Sequence, residues 1–424
     1  MMMNRIQVGK VTEAVGRFGN WLDNYGETSH DFQSFFAGSL GRRAKALYYR
    51  KPVLGTLAVA PMVFGEAFAP STRKLFWKAQ RFPIADAHFA MAFAFLSEAF
   101  GKEQYYLRAV HFLTVLQETR SPGFEHYCWG YPFDWVTRNG TIKAGTPLIT
   151  TLPYAYEAFR EVHQIDGKHQ WREVMQSIAR HALLDYHDIE VSPYASSCSY
   201  MPDPADSGRV INASAYRAFL LTRAAEDFSE EKYQKVAERN LNFVLESQNE
   251  DGSWYYSTDG VRDFVDHFHT CFVLKALAKI EQLTGCRRCH NAIEKGVNYY
   301  VKNLFDADGL PKPFSKRPRL TVYRRELYDY AECINLAALL DGRFPELDKI
   351  LSGVLFDLLG RWQRSDGAFR SRQLLIGWDN VPMHRWAQAQ VFRSLCFVLS
   401  RKLNGPAKGS DGDSVQSLES KTLN

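Results

Sequence analysis

The sequence predicts an all-α (α/α)6 toroid, a ring of six helical hairpins with minor β-hairpins in its loops. Three observations predict it. Helical periodicity runs through most of the 424 residues, and apolar, small-residue-rich stretches alternate with more amphipathic ones. The apolar stretches begin about 53 to 65 residues apart. Finally, the element Gln248-Asn-Glu-Asp-Gly-Ser-Trp254 returns as Gln363-Arg-Ser-Asp-Gly-Ala-Phe369, with a partial copy at Asp308-Gly309 to Phe314; the Asp-Gly pairs start at 251, 308 and 366, a period of about 57. A repeat of that length is one supersecondary unit used several times, here a helical hairpin closed by an Asp-Gly turn.

Taken in order, a helix near 31–48 is expected to be the sixth outer partner. The stretch Pro52 to Pro70 follows, apolar and flanked by Arg42, Arg43, Arg50, Lys51 and Arg73. It is shorter than a membrane span and holds Pro61 and Glu66. It reads either as a segment lying on anionic lipid or, the favoured reading, as a buried connection. Inner helices are expected at 84–100, 147–163, 212–227, 265–284, 328–341 and 384–402, and outer ones at 102–118, 170–187, 230–247, 287–304 and 345–362. Gly252 and Gly367 fall just past outer helices, where a left-handed residue ends a helix. SWYYS (253–257) and SRQLLIG (371–377) are expected to form short strands. The tail 405–424 is Gly, Ser, Asp and Lys-rich, and disorder is expected there. The implied division is a helical or interfacial segment at 1–70, the toroid at 71–404 and the tail.

Composition narrows the function classes. Apolar content of 46% and charged content of 23% are those of a soluble globular protein. A net charge of +5 without a dense Lys/Arg stripe excludes a nucleic-acid partner. The seven cysteines are scattered, and no secretory signal is recognised at the start, so free thiols in the cytoplasm are expected, with membrane association through 52–70 as the open alternative. Cys286-Arg-Arg-Cys289 lacks a second pair, so no metal is expected. No phosphate-cradling loop, zinc-protease motif, nucleophile elbow or acidic isoprenoid motif is present, and no cofactor is expected. Aromatics at 14% suit a ring-bearing ligand, although a Phe-rich core accounts for much of the excess.

The chemistry is expected in the long loops that open on one face of the ring. They carry Trp129, Tyr131, Trp135, Arg138, Tyr200, Arg209, Tyr255, Tyr256, Arg262, Tyr323, Arg324, Arg325, Arg372, Trp378 and Arg385. Arginine forks match carboxylates and aromatic faces stack on sugar rings, so an acidic polysaccharide is the expected partner; the plain alternative is a solvated basic rim. Candidate acid–base residues are Asp266 and His269 (i, i+3), Tyr328 and Glu332 (i, i+4), His384, which pairs with Gln388 at i, i+4, and Asp134. Asp266 has a plainer reading as a helix cap.

The Gln-x-x-x-Gly-x-Trp element at 248–254 resembles the repeat of triterpene cyclases and their α/α-toroid relatives, where it braces helix ends. Cys128-Trp-Gly-Tyr-Pro-Phe-Asp-Trp135, Gly145-Thr-Pro147 and Trp386-Ala-Gln388, taken with the repeat, resemble bacterial surface-polysaccharide biosynthesis proteins of the toroid type, from capsule and exopolysaccharide clusters. The resemblance implies action on a glycan. Three readings stay open, each as a single chain or a homo-oligomer: an enzyme that epimerises, eliminates or hydrolyses an acidic, uronate-containing polysaccharide; a non-catalytic glycan-binding component; and a prenyl or terpenoid toroid enzyme.

Overall fold

In the computed structural model, which describes residues 5–404, the apolar stretches become inner helices because each is enclosed by neighbours on both flanks. The chain enters through α1 (Arg5–Tyr25), the turn α2 (Ser34–Ala37), the hairpin α3 (Ser39–Arg50) and α4 (Pro52–Phe68), and the turn α5 (Arg73–Phe76). Inner and outer helices then alternate: α6 (Pro83–Phe100) and α7 (Glu103–Glu118), α8 (Leu152–Asp166) and α9 (His169–Leu184), α10 (Ile211–Phe228) and α11 (Glu231–Glu246). The second half continues with α12 (His267–Thr284) and α13 (Arg287–Asn303), α14 (Leu327–Leu339) and α15 (Pro345–Asp357), and ends in inner α16 (Ala389–Asn404). Helix α16 packs along α6 as well as α14, so the ring closes. The expected tail, 405–424, lies outside the described residues.

The repeated element is a clasp between hairpins. The Gln248 side-chain amide donates to the carbonyls of Gly252 (3.0 Å) and of Ala292 on α13 (2.9 Å), while the Trp254 indole N–H donates to Val244 on α11 (2.9 Å). Gln363 repeats this, donating to Gly367 (3.1 Å) and to Ala14 on α1 (2.9 Å). The second clasp therefore identifies α1 as the sixth outer helix. This corrects the expectation that a helix near 31–48 fills that place, and it carries the toroid's first helix into the 1–70 segment. Helix α3 packs instead on α4.

Both clasps need glycine. Gly252 has φ +89° and a Cβ there would lie 2.4 Å from the Lys295 carbonyl oxygen; Gly367 has φ +99° and would meet the Arg17 carbonyl oxygen at 2.3 Å. Gly309 in the partial copy has φ +75° but open space around it, and that copy has no glutamine to reach across. Alanine at 252 or 367 is therefore expected to cost about 3 kcal/mol or more, and at 309 only about 1 kcal/mol. Urea denaturation of the three variants checks the ranking.

The strands are short and sit in the loops before inner helices. β1 (Trp135–Thr137) pairs with β2 (Gly140–Ile142), and β3 (Asp188–Ser192) with β4 (Ala195–Cys198). Two further sheets tie one loop to the next. β5 (Val265–Asp266) pairs with β6 (Phe314–Lys316), and β7 (Tyr323–Glu326) with β8 (Arg372–Leu374), which also pairs with β9 (Trp378–Asp379). The 371–377 expectation is met by β8. SWYYS contributes only an isolated bridge, Val210 to Ser257.

The favoured reading of 52–70 as a buried connection is overturned. Helix α4 buries only Gly55, Met62 and Ala67, because it is covered by α3 along one side alone.

Candidate active site at the ring mouth

Sheet pairing brings the starts of α12, α14 and α16 together. Asp266 ends β5 and caps α12: one carboxylate oxygen accepts the backbone N–H of His269 (3.1 Å). The other accepts Nδ1–H of the same histidine at 2.6 Å. Asp266 is 3% exposed, and its own carbonyl is held by the Thr270 hydroxyl (2.7 Å). The cap reading is therefore realised, and the same carboxylate also orients the His269 ring. With Nδ1 engaged as donor, the lone pair of His269 lies on Nε2. That atom has no protein partner among the described residues, and the side chain is 22% exposed. Tyr256 and Phe268 wall the ring, with centroids 4.6 and 4.4 Å away. A carboxylate that fixes tautomer and orientation is what a histidine base requires.

Beside it lies an aromatic platform. Tyr328 and Trp386 stack at 4.6 Å with planes 7° apart, and Phe268 meets both edge-on at 5.2 and 5.5 Å. The Trp386 indole donates to Glu326 (2.6 Å), whose other oxygen accepts from Tyr323 (2.7 Å). Trp386 sits in a widened turn, His384–Gln388, just before α16, where the Gln388 N–H reaches back to the Met383 carbonyl (3.1 Å) and the backbone is kinked at Trp386 and Ala387. Such turns re-aim side chains and recur at functional sites.

Below the platform, the inner helices put polar groups on the ring axis. Lys275 and Glu332 form a buried ion pair, with Arg393 3.9 Å from Glu332. The Tyr154 and Tyr216 hydroxyls meet at 2.6 Å, and His88 packs 4.5 Å from Tyr154. Burial, with Arg393, Lys275 and Lys279 nearby, holds His88 well below the usual histidine range. Burial, reinforced by Glu326, Asp266 and Glu332, pushes Asp329 well above the usual carboxylate range. Burial thus favours the neutral form of each group.

Of the predicted residues, the structure brings Asp266, His269, Tyr328, Tyr256 and Tyr323 to this mouth. Tyr131 and Trp135 flank it, their rings 6.0 Å apart, and Tyr200 lies 3.4 Å from the Thr150 hydroxyl. Arg262 lies over Tyr256 (5.3 Å) but is paired with Asp259 (2.5 Å). Arg138 and Arg324 are exposed and Arg209 is half-buried. Tyr255 lies under Lys316 (5.6 Å).

The rest are spent elsewhere. Arg372 is buried between Glu66 (2.6 Å) and Glu326 (3.5 Å), Arg385 is buried against Asp31 (2.7 Å), and Arg325 bridges Asp306 and Asp308 (2.7 and 2.8 Å). Their guanidinium groups already have carboxylate partners, so the structure removes them from the set free to bind substrate. Glu332 is held by Lys275 on the axis. His384 is buried against Trp21 and Tyr25, donates from Nε2 to the Gly26 carbonyl (2.9 Å), and is pulled down to about 4 by burial. Asp134 accepts from the Ala144 N–H (3.0 Å) and meets Arg42 (3.4 Å), bracing a loop. Trp129 is a buried strut on the Leu116 carbonyl (2.8 Å), and Trp378 packs on Trp362 (5.0 Å).

The sequence reading missed Phe268, Trp386, His88, Tyr154, Tyr216, Lys275 and Arg393. A signal existed for several of them. His88 in IADAHFAMAF, where Asp86 is the other polar residue, and Lys275 in CFVLKALA are ionisable residues inside largely apolar stretches, which marks them as buried polar groups that need a partner.

Two surface pockets, of about 410 Å³ beside Lys78, Arg120 and Tyr131 and about 300 Å³ beside Thr222, Glu230 and Thr284, hold no such oriented acid–base pair. Among the described residues no cluster of His, Cys, Asp and Glu is arranged to hold a metal ion, and all seven cysteines are free.

No protein-family model and no curated protein sequence matches the chain. Solved structures do. Cellobiose 2-epimerase from Bacillus thermoamylovorans superposes with a TM-score of 0.60 and 11% identity over 76% of this chain and 88% of its own. A family 88 glycosyl hydrolase from Bacteroides vulgatus gives 0.58 and 7% over 94% and 99%. An α-1,6-mannanase of Salegentibacter, bound to α-1,6-mannotriose, gives 0.53 and 14% over 77% and 91%. At such identities what is shared is the fold, the closed ring of six helical hairpins.

Proposed function

We propose that the chain is a carbohydrate-active enzyme that removes a proton from a sugar ring, with His269 as base, Asp266 as its orienting group and the Tyr328–Trp386 stack as the ring platform. The observation that carries this reading is the Asp266–His269 pair, open at Nε2 and set beside stacked aromatics at the mouth. Tyr328 is the proposed proton donor, since burial and the Glu332 charge hold its phenol protonated. Hydrolysis is the weaker reading. It calls for two carboxyl groups facing the sugar about 5 to 9.5 Å apart, whereas Asp266, Glu326 and Glu332 already serve His269, Trp386 and Lys275. The similarity of the fold to a sugar epimerase and to glycan hydrolases supports a carbohydrate substrate.

The finer proposal is a uronate-containing glycan of surface-polysaccharide assembly, with abstraction at C5, where the neighbouring carboxylate acidifies the proton. The exposed cations Arg138, Arg319 and Arg324 and the sequence resemblance support it; the pairing of Arg325, Arg372 and Arg385 narrows its basis to the rim.

Incubation with uronate-containing and neutral oligosaccharides in D2O tests the proposal. Deuterium entering a ring C–H without cleavage is the epimerase outcome, and an unsaturated uronate chromophore the lyase outcome. New reducing ends without either would make it a hydrolase. Binding without any conversion would make it a glycan-holding component, and neither binding nor conversion would end the carbohydrate reading.

A further inference from the structure

Helix α4 has its polarity reversed. Its outward residues include Val53, Leu57 and Phe64, which are 79%, 69% and 64% exposed, together with exposed Leu54, Val63 and Phe68. Its one carboxylate, Glu66, faces inward to Arg73 (3.1 Å) and Arg372 (2.6 Å). A helix bathed in water is built the other way round, with apolar groups inward and charge outward. Single exposed apolar residues are ordinary, but a contiguous patch marks a surface that meets something. After Pro70 the chain bends by 120° into a short helical turn that adds Leu75, 85% exposed, to the same segment.

The charges around the patch say what it meets. From residue 33 to 80 every exposed charged side chain is basic, among them Arg43, Arg50, Lys51 and Lys74, and the sole acid is the inward Glu66. No described helix is long and apolar enough to cross a bilayer by itself, and α4 has 17 residues, so the geometry fits lying in the interface. The hairpin rests on a small core of its own, Phe35, Ala44 and Met62, and is pinned to the ring mouth by Arg42–Asp134 (3.4 Å) and Glu66–Arg372 (2.6 Å).

We propose that α4 is a docking helix for an anionic lipid surface: its apolar side enters the headgroup boundary, the surrounding basic residues meet lipid phosphates, and the ring mouth is held next to the membrane. This goes beyond the catalytic reading and does not depend on it.

Flotation of the full chain with vesicles tests it, using phosphatidylcholine alone or with about 30 mol% phosphatidylglycerol to give a negative surface. The wild type is expected to float with the anionic vesicles, and Leu57→Asp/Phe64→Asp to lose at least about tenfold of that binding at an unchanged thermal midpoint, because both side chains are exposed. Arg50→Glu/Lys51→Glu is expected to lose the preference for anionic vesicles. Wild type left unbound, equal binding to both vesicles, or equal flotation of the aspartate variant would each overturn the proposal. So would a wild-type dimer in light scattering that the aspartate variant breaks without any flotation, which would make the occupant a second copy of the chain.

Discussion

Replacing His269 with glutamine is expected to lower turnover by about 10² to 10⁴-fold on whichever glycan exchanges deuterium, because a positioned base contributes that much to proton transfer. Asp266→Asn should approach the same loss. Its value as a test is that asparagine caps helices about as well as aspartate, so the helix start survives with a stability change of a few tenths of a kcal/mol. Asp266→Ala, in contrast, should lose both turnover and about 1 kcal/mol of stability. Steady-state kinetics beside thermal melts separates the two roles that Asp266 combines through its two oxygens. A His269→Gln enzyme with unchanged kcat would remove the dyad from the chemistry.

The second large effect lies on the axis. Glu332→Gln leaves Lys275 buried without its counter-charge and with Arg393 close by, whereas Lys275→Met leaves Glu332 with only Arg393, 3.9 Å away. Removing one partner of a buried pair costs about 3 to 5 kcal/mol, whereas replacing both with apolar residues is often neutral or stabilising. Because Glu332 is also the carboxylate partner of buried Arg393, the triple variant Lys275→Met/Glu332→Leu/Arg393→Met is the one expected to recover most of the loss in urea denaturation, and the double variant, which leaves Arg393 unpaired, only part of it. Should Glu332→Gln instead stay as stable as wild type and lose turnover, Glu332 would belong to the reaction and not to the frame.

The ring itself was legible because its signal is periodic. Inner helices such as Pro83–Phe100 and Ile211–Phe228 are rich in small and apolar residues and buried along most of their length, and the Gln-to-aromatic element marks hairpin ends. Asp266 and His269 were legible because i, i+3 at a helix start is a local relation. His384 and Gln388 misled for a related reason. They share a face in a regular α-helix, but here the backbone kinks between them at Trp386 and Ala387; His384 faces α1, while Gln388 bonds the Phe369 backbone (3.2 and 2.6 Å). The same widened turn put Trp386 on the platform, which no α-helical spacing indicates. Arg372 and Arg385 looked available because their carboxylate partners, Glu66 and Asp31, lie about 300 or more residues away in the chain. Helix α4 was misread because composition alone does not say whether an apolar stretch is covered.

Closure of the ring by α16 against α6 has a consequence for synthesis. Helix α6 leaves the ribosome about 300 residues before its last neighbour does, and at roughly 5 to 20 residues per second that is about 15 to 60 seconds. Over that interval one greasy flank of the nascent protein stays uncovered, and the turn carrying Trp386 reaches the other side chains of the mouth only as translation finishes.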